Sequence, residues 1–171
     1  MVTAISTMAF LLSTGMFKLL AFNLVGLLIM SMVANFDILA GRIPIYFMFS
    51  AFILGFAFGL SNDRWIISLM GGLTNLALGS ILHLLGKKYA TMRFQEHPNI
   101  VSFGMGDTFG AGSSGALVGF PLAVVGLLIA LILAVLYALP KSLLEKRAIT
   151  SMTVELGPGF LLATAGLLLF F

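Results

Sequence analysis

Cysteine is absent from the 171 residues, which excludes disulfides, thiolate nucleophiles and cysteine-bound metals. Charge is almost as scarce. Asp, Glu, Lys and Arg together make up 9% of the chain, against roughly a quarter in a soluble domain, so a globule of this composition would have too little polar surface. Only two histidines occur, His83 and His97. They are widely spaced and have no carboxylate pattern beside them, which is insufficient for a metal site, and neither a metal nor another cofactor is expected. The pI of about 9.5 would admit a nucleic-acid partner, but the nine Lys and Arg residues are scattered. No nucleic-acid binding is therefore expected, and the basic residues read as markers of orientation in a bilayer.

What fills the chain is hydrocarbon. Apolar residues make up 60% of it and the mean hydropathy is +1.14. Apolar runs of about 18 residues read as membrane spans, and six can be drawn, over 19–36, 45–60, 65–85, 108–120, 121–139 and 157–171. The expected fold is all-α, a polytopic membrane bundle of about six transmembrane helices with the lipid bilayer as its surroundings. Residues 19–171 form one membrane domain. Residues 1–18 read as an extension or as part of the first helix, because Lys18 follows the first apolar stretch, the reverse of a secretory signal.

The connections are lopsided in charge. The 37–44 connection holds Arg42, the 86–103 connection holds Lys87, Lys88 and Arg93, and the 140–154 connection holds Lys141, Lys146 and Arg147. The opposite side has Arg64 and Lys18. Positive charge gathers on the cytoplasmic side, which places those three connections in the cytoplasm. The fourth span is dense in small residues, with Gly104, Gly106, Gly110, Gly112, Gly115 and Gly119 around Ser113 and Ser114. Small residues let membrane helices approach backbone to backbone, so this segment is expected to be a central helix shielded from lipid.

Six acids remain to be placed. Asp63 beside Arg64, Glu145 beside Lys146 and Arg147, and Glu96 in a basic connection read as solvated loop charges. Asp37 and Asp107 differ. Asp37 ends an uninterrupted apolar stretch, and Asp107 sits in Phe-Gly-Met-Gly-Asp-Thr-Phe-Gly with no basic neighbour close by. An ionised carboxylate at membrane depth costs several kcal/mol unless paired or wetted, which makes such residues functional candidates. Both fall at the cytoplasmic ends of their spans. Two nearby carboxylates do not readily both ionise, so one can act as acid and the other as base. Gly104 and Gly106 would let an extended substrate backbone come close to Asp107, and Gly157-Pro158 would either start a helix or form a backbone wall beside the aspartates.

These residues resemble a known family. Asp37-Ile-Leu-Ala-Gly-Arg-Ile43-Pro44 is similar to the Asp-x5-Ile-Pro element of prepilin peptidases, the type IV leader peptidases. Gly104-Met-Gly-Asp107 matches their Gly-x-Gly-Asp motif, shared more loosely with presenilin-type proteases. Leu156-Gly157-Pro158 resembles their closing Phe-Gly-Pro-x-Leu-Ala element. The resemblance implies an aspartyl endopeptidase of the inner (cytoplasmic) membrane with Asp37 and Asp107 as its catalytic dyad. Its partner would be a prepilin-like or archaellin-like precursor, cut on the cytoplasmic side between a basic leader and a hydrophobic helix. The chain is most similar to the short single-domain members, since larger ones carry a zinc-binding cysteine domain. It departs from the family at Ile45, where Asn is usual, at Phe109, where Lys is usual, and at Glu155. Two other readings stand beside this one: a non-catalytic member or small transporter subunit, to whose pathway His83 and Lys87 on one helical face could belong, and a presenilin-like intramembrane protease.

Overall fold

The computed structural model describes residues 16–40, 45–61, 63–93, 104–145 and 156–170. Expectations resting on residues 1–15, and on Arg42, Ile43, Pro44, Glu96, His97, Lys146, Arg147 and Glu155, fall outside them. Six helices make up the described chain: α1 (Met16–Ala40), α2 (Ile45–Ser61), α3 (Trp65–Arg93), α4 (Met105–Val118), α5 (Leu122–Glu145) and α6 (Gly157–Phe170). No strand occurs among the described residues. The protein is an all-α membrane bundle. Three helices are long and apolar enough to cross a bilayer, over Ala21–Leu39, Trp65–Tyr89 and Leu122–Pro140, and two shorter apolar helices cover Ile45–Leu60 and Gly157–Leu168.

Polarity is arranged as a bilayer demands. Outward faces carry large apolar side chains such as Leu28, Met32, Phe49, Ile53, Leu128 and Ile132, all at least half exposed. Polar side chains lie inside: Asp37, Ser68, Asn75, Thr108, Ser113, Ser114 and Thr164 are buried. An apolar exterior of this extent would aggregate in water. Small and polar residues at helix seams are what hold helices together in lipid, where apolar contact alone gives no net drive.

The centre of the bundle is α4, nine of whose 14 residues are buried. At about 1.5 Å per residue it reaches roughly 20 Å, short of a hydrocarbon core of about 30 Å. A helix that stops inside a bundle leaves carbonyls without partners, and its neighbours supply donors. The Ser68 hydroxyl sits between the carbonyl of Ala116 and that of Gly55, 2.8 Å from the latter, tying α3 to both α4 and α2. The chain turns at Gly119, whose φ of +83° is a conformation side chains resist. Phe120 then donates its N–H to the Ile67 carbonyl at 3.0 Å, and Asn75 donates to the Ala123 carbonyl at 2.9 Å.

Three helices run beyond the spans read from hydropathy. α1 continues past Phe36 to Ala40, α3 past Leu85 to Arg93, and α5 past Leu139 through Pro140 to Glu145. Hydropathy marks where a chain leaves hydrocarbon, whereas a helix can continue in water on residues such as Lys, Leu and Met. Asp37 therefore lies within a helix, and Glu145 closes one instead of sitting in a loop.

Two buried hydroxyls differ in what they contribute. Ser113 donates to the Met48 carbonyl of α2 at 2.6 Å or to the Phe109 carbonyl at 2.8 Å. The Thr164 hydroxyl, on a residue 1% exposed, has no partner among the described residues. Replacing a buried group that lacks a bond by an apolar one of the same shape is close to neutral or stabilising, while removing one partner of a satisfied pair is not. Thr164→Val is expected to leave stability unchanged or raise it by up to about 1 kcal/mol, and Ser113→Ala to lower it by about 1 kcal/mol. Unfolding titrations in mixed micelles measure both.

Candidate active site

The register of helix pairs fixes the site. On α1, a Cβ at Gly26 would meet the Leu117 side chain of α4 at 3.0 Å. Gly26 precedes Asp37 by eleven residues and Leu117 follows Asp107 by ten, which is about 16 and 15 Å of helix at 1.5 Å per residue. Antiparallel helices in that register bring the two aspartates to the same level, at what is here termed the aspartate end. The separation of 70 residues along the chain is bridged by helix packing alone.

Asp37 is 6% exposed. Its Oδ2 accepts the backbone N–H of Gly157 at 2.8 Å. Gly157 is the first residue of α6, so this amide is one that a helix start leaves without an internal partner, and it lies at the end of the dipole that favours an anion. Gly157 is needed there: a Cβ would stand 2.9 Å from the Asp37 Cβ and 3.1 Å from the Ala34 Cα. Pro158 follows in the first turn of α6, half-buried, where its missing N–H costs nothing.

Asp107 is the third residue of α4, and its Oδ2 accepts the N–H of Gly104 at 2.7 Å, one arm of a capping box. A Cβ at Gly104 would sit 3.1 Å from that oxygen. Gly106 is half-buried in the same turn. Thr108 is buried, its hydroxyl 3.3 Å from the Gly79 carbonyl of α3 and 3.4 Å from that of Gly104. Each aspartate thus has one carboxylate oxygen on the free amide of a helix start, Asp107 on its own helix and Asp37 on α6.

The Asp107 carboxylate lies within electrostatic range of Asp37 and of His83. Its nearness to Asp37 is what a shared acid–base site requires, with one carboxyl protonated and the other charged. Sequence offered His83 only to the transporter reading, through the helical face it shares with Lys87, and did not place it beside Asp107. The signal is faint: Gly79, His83 and Lys87 recur every four residues on one face of α3, and the smallest of them marks where that face touches α4. The Gly157 amide against Asp37 was equally out of reach, since spacing shows which residue opens a helix but not which neighbour it meets. The candidate substrate-facing residues Gly104 and Gly157 each lie against one of the aspartates, and Gly106 and Pro158 lie beside them in the same helix turns. Ile43 and Pro44 lie outside the described residues.

The chain matches no protein-family model, no curated protein and no solved structure.

Proposed function

We propose that this protein is a membrane-embedded aspartyl endopeptidase that removes the basic leader from prepilin-like precursors, with Asp37 and Asp107 as its catalytic pair. The observation that carries this reading is that those two carboxylates lie within electrostatic range of one another at one end of an apolar bundle. The Lys and Arg asymmetry supports placing that end in the cytoplasm of a cell with its bundle in the inner membrane. In the mechanism, one ionised aspartate takes a proton from water as its oxygen attacks the scissile carbonyl, and the other donates a proton to the carbonyl oxygen. Collapse of the tetrahedral species breaks the C–N bond as the second aspartate takes back a proton from one of its hydroxyls and the first gives its proton to the leaving amine. Gly104 and Gly106 on one side and Gly157 and Pro158 on the other would flank the extended leader junction, where the absence of side chains at the glycines admits a peptide backbone.

The test is cleavage of a purified precursor by the purified chain in proteoliposomes, with the cut bond mapped by mass spectrometry. A cut between the leader and the hydrophobic segment, lost in Asp37→Asn, supports the proposal. A cut inside the hydrophobic segment would move the reading to a presenilin-like protease, and retained processing by Asp37→Asn would remove the dyad.

One observation favours a second reading. His83 near Asp107, together with half-buried Phe109 where the resembled family carries lysine, suits a small transporter subunit that moves protons along its acids. Proton or cation flux in the same proteoliposomes, without cleavage, would establish it.

A further inference from the structure

The outer face of α1 is apolar except at one place. Leu24, Leu28, Ile38 and Leu39 are each more than half exposed there, and Asn35 stands exposed among them, inside the apolar span Ala21–Leu39. The buried residues Gly26, Met30, Val33, Ala34 and Asp37 mark the inward side of the helix. At about 100° per residue, Asn35 lies within about 30° of the point directly opposite their mean. Leu39, one turn nearer the aspartate end, is 84% exposed, so Asn35 sits within the apolar belt and not at its rim. A carboxamide has two N–H donors and an acceptor oxygen, and the interior N–H groups of its own helix are already engaged. Ser50, on the outer face of α2, meets the same problem by donating its hydroxyl to the Tyr46 carbonyl of its own helix at 2.8 Å. Among the described residues no hydrogen bond involves the Asn35 side chain. Such a group facing hydrocarbon is costly, and polar side chains in that position hold membrane helices together.

We propose that this face of α1 binds a second copy of the chain, the two α1 helices pairing in parallel about a two-fold axis along the membrane normal, with their Asn35 carboxamides hydrogen-bonded to each other. The proposal does not depend on the peptidase reading. Three observations select this occupant. Leu24, Leu28, Ser31, Asn35 and Ile38 follow one another at intervals of four, three, four and three, which is the seam of a left-handed two-stranded coiled coil. A single Asn in such a seam fixes parallel, in-register pairing of two strands, and the small Ser31 one turn away lets the backbones approach. Copies related by an axis along the normal bring every residue to the depth of its counterpart, so Asn35 finds at its own level a group that both donates and accepts. Between Leu19 and Ala40 the only charged residue is Asp37, which is buried, so no like charges meet across the seam. Asp37 lies two residues beyond Asn35, about 200° around the helix, and pairing therefore leaves each aspartate facing its own bundle.

The experiment uses the full chain in membranes, with the cysteine-free sequence as background. Leu28→Cys, Ile38→Cys and, as control, Leu128→Cys on the exposed face of α5 are each made as the sole cysteine and oxidised with copper phenanthroline. A disulfide-linked dimer is expected from the first two and not from the third, because in a two-fold pair each seam residue meets its own counterpart. Sedimentation equilibrium in mixed micelles should show Asn35→Leu raising the dimer Kd about tenfold, the effect of one interhelical hydrogen bond in apolar surroundings. Asn35→Gln, which keeps the carboxamide, should stay close to wild type. Cross-linking of Leu128→Cys as fast as Leu28→Cys, or equal dimer Kd for wild type and Asn35→Leu, overturns the inference and leaves Asn35 to a lipid headgroup or to another protein's helix. If Asn35→Leu fails to accumulate, the cysteine pattern decides alone: cross-linking confined to the two seam positions supports the inference, and cross-linking at all three positions or at none overturns it.

Discussion

Gly71→Ala and Gly115→Ala are each expected to unfold the bundle or prevent its accumulation, although each adds a single methyl group. The two residues face one another across the α3–α4 seam, and a Cβ on either would lie 2.4 Å from the other's carbonyl oxygen. Neither obstacle is the end of a flexible side chain. From Gly71 the Cβ would also come within 2.8 Å of the backbone of Gly119 and Phe120, and from Gly115 within 2.9 Å of Asn75 Nδ2. Relief requires the helices to part, which loosens the Ser68 hydrogen bond to Ala116 at the inner end of α4 and the Asn75 hydrogen bond to Ala123 of α5. Overpacking a well-filled interior costs roughly 1–3 kcal/mol and occasionally more, and the rigid backbone here puts the cost at or above the top of that range. Gly166→Ala is the control, since a Cβ there meets nothing within 4 Å. Accumulation in membranes and resistance to SDS unfolding should fall for the first two variants and stay level for the third. Wild-type stability of Gly115→Ala would mean that α3 and α4 do not pack in this register.

The second large effect falls on activity. Asp37→Asn and Asp107→Asn preserve shape and remove one ionisable oxygen each, and each should reduce leader cleavage by about 10³-fold, within the range measured for acid–base groups. The double variant should be scarcely worse than either single one, because residues that act as a unit are not additive. Amounts of protein in the membrane separate this from misfolding. Asp37 calls for that control in particular, because its carboxylate also receives the Gly157 amide. Asn keeps an acceptor oxygen for that amide, so Asp37→Asn should retain the junction of α1 with α6 and lose only chemistry. Multiplying losses would mean that the two aspartates act at separate places.

Much of this architecture was legible because charge is so rare in the chain. Among six acids, Asp37 and Asp107 stood out by their apolar or small neighbours alone, and the glycine run before Gly119 marked α4 as the helix others would surround. The positions of helices followed from apolar runs. Their ends did not, since α3 and α5 carry on through Lys and Pro residues that hydropathy treats as exits. Pairing was the larger gap. Gly55, Gly71 and Gly79 announce close approach but not the partner, and those partners, Ala116, Gly115 and Thr108, appear only once the helices are set side by side. His83 comes within electrostatic range of Asp107 through that pairing, so its place could not be read from its own surroundings in sequence.

The most direct measurement of the central claim, that Asp37 and Asp107 face one another across the bundle, uses the cysteine-free background of the chain. Asp37→Cys combined with Asp107→Cys is treated in native membranes with a short bifunctional thiol reagent, and Asp37→Cys with Asp63→Cys serves as control, Asp63 being exposed in the turn between α2 and α3, away from the aspartate end. Rapid intramolecular cross-linking of the first pair and none of the second is the predicted result. Equal, slow labelling of both pairs without cross-links would contradict the account.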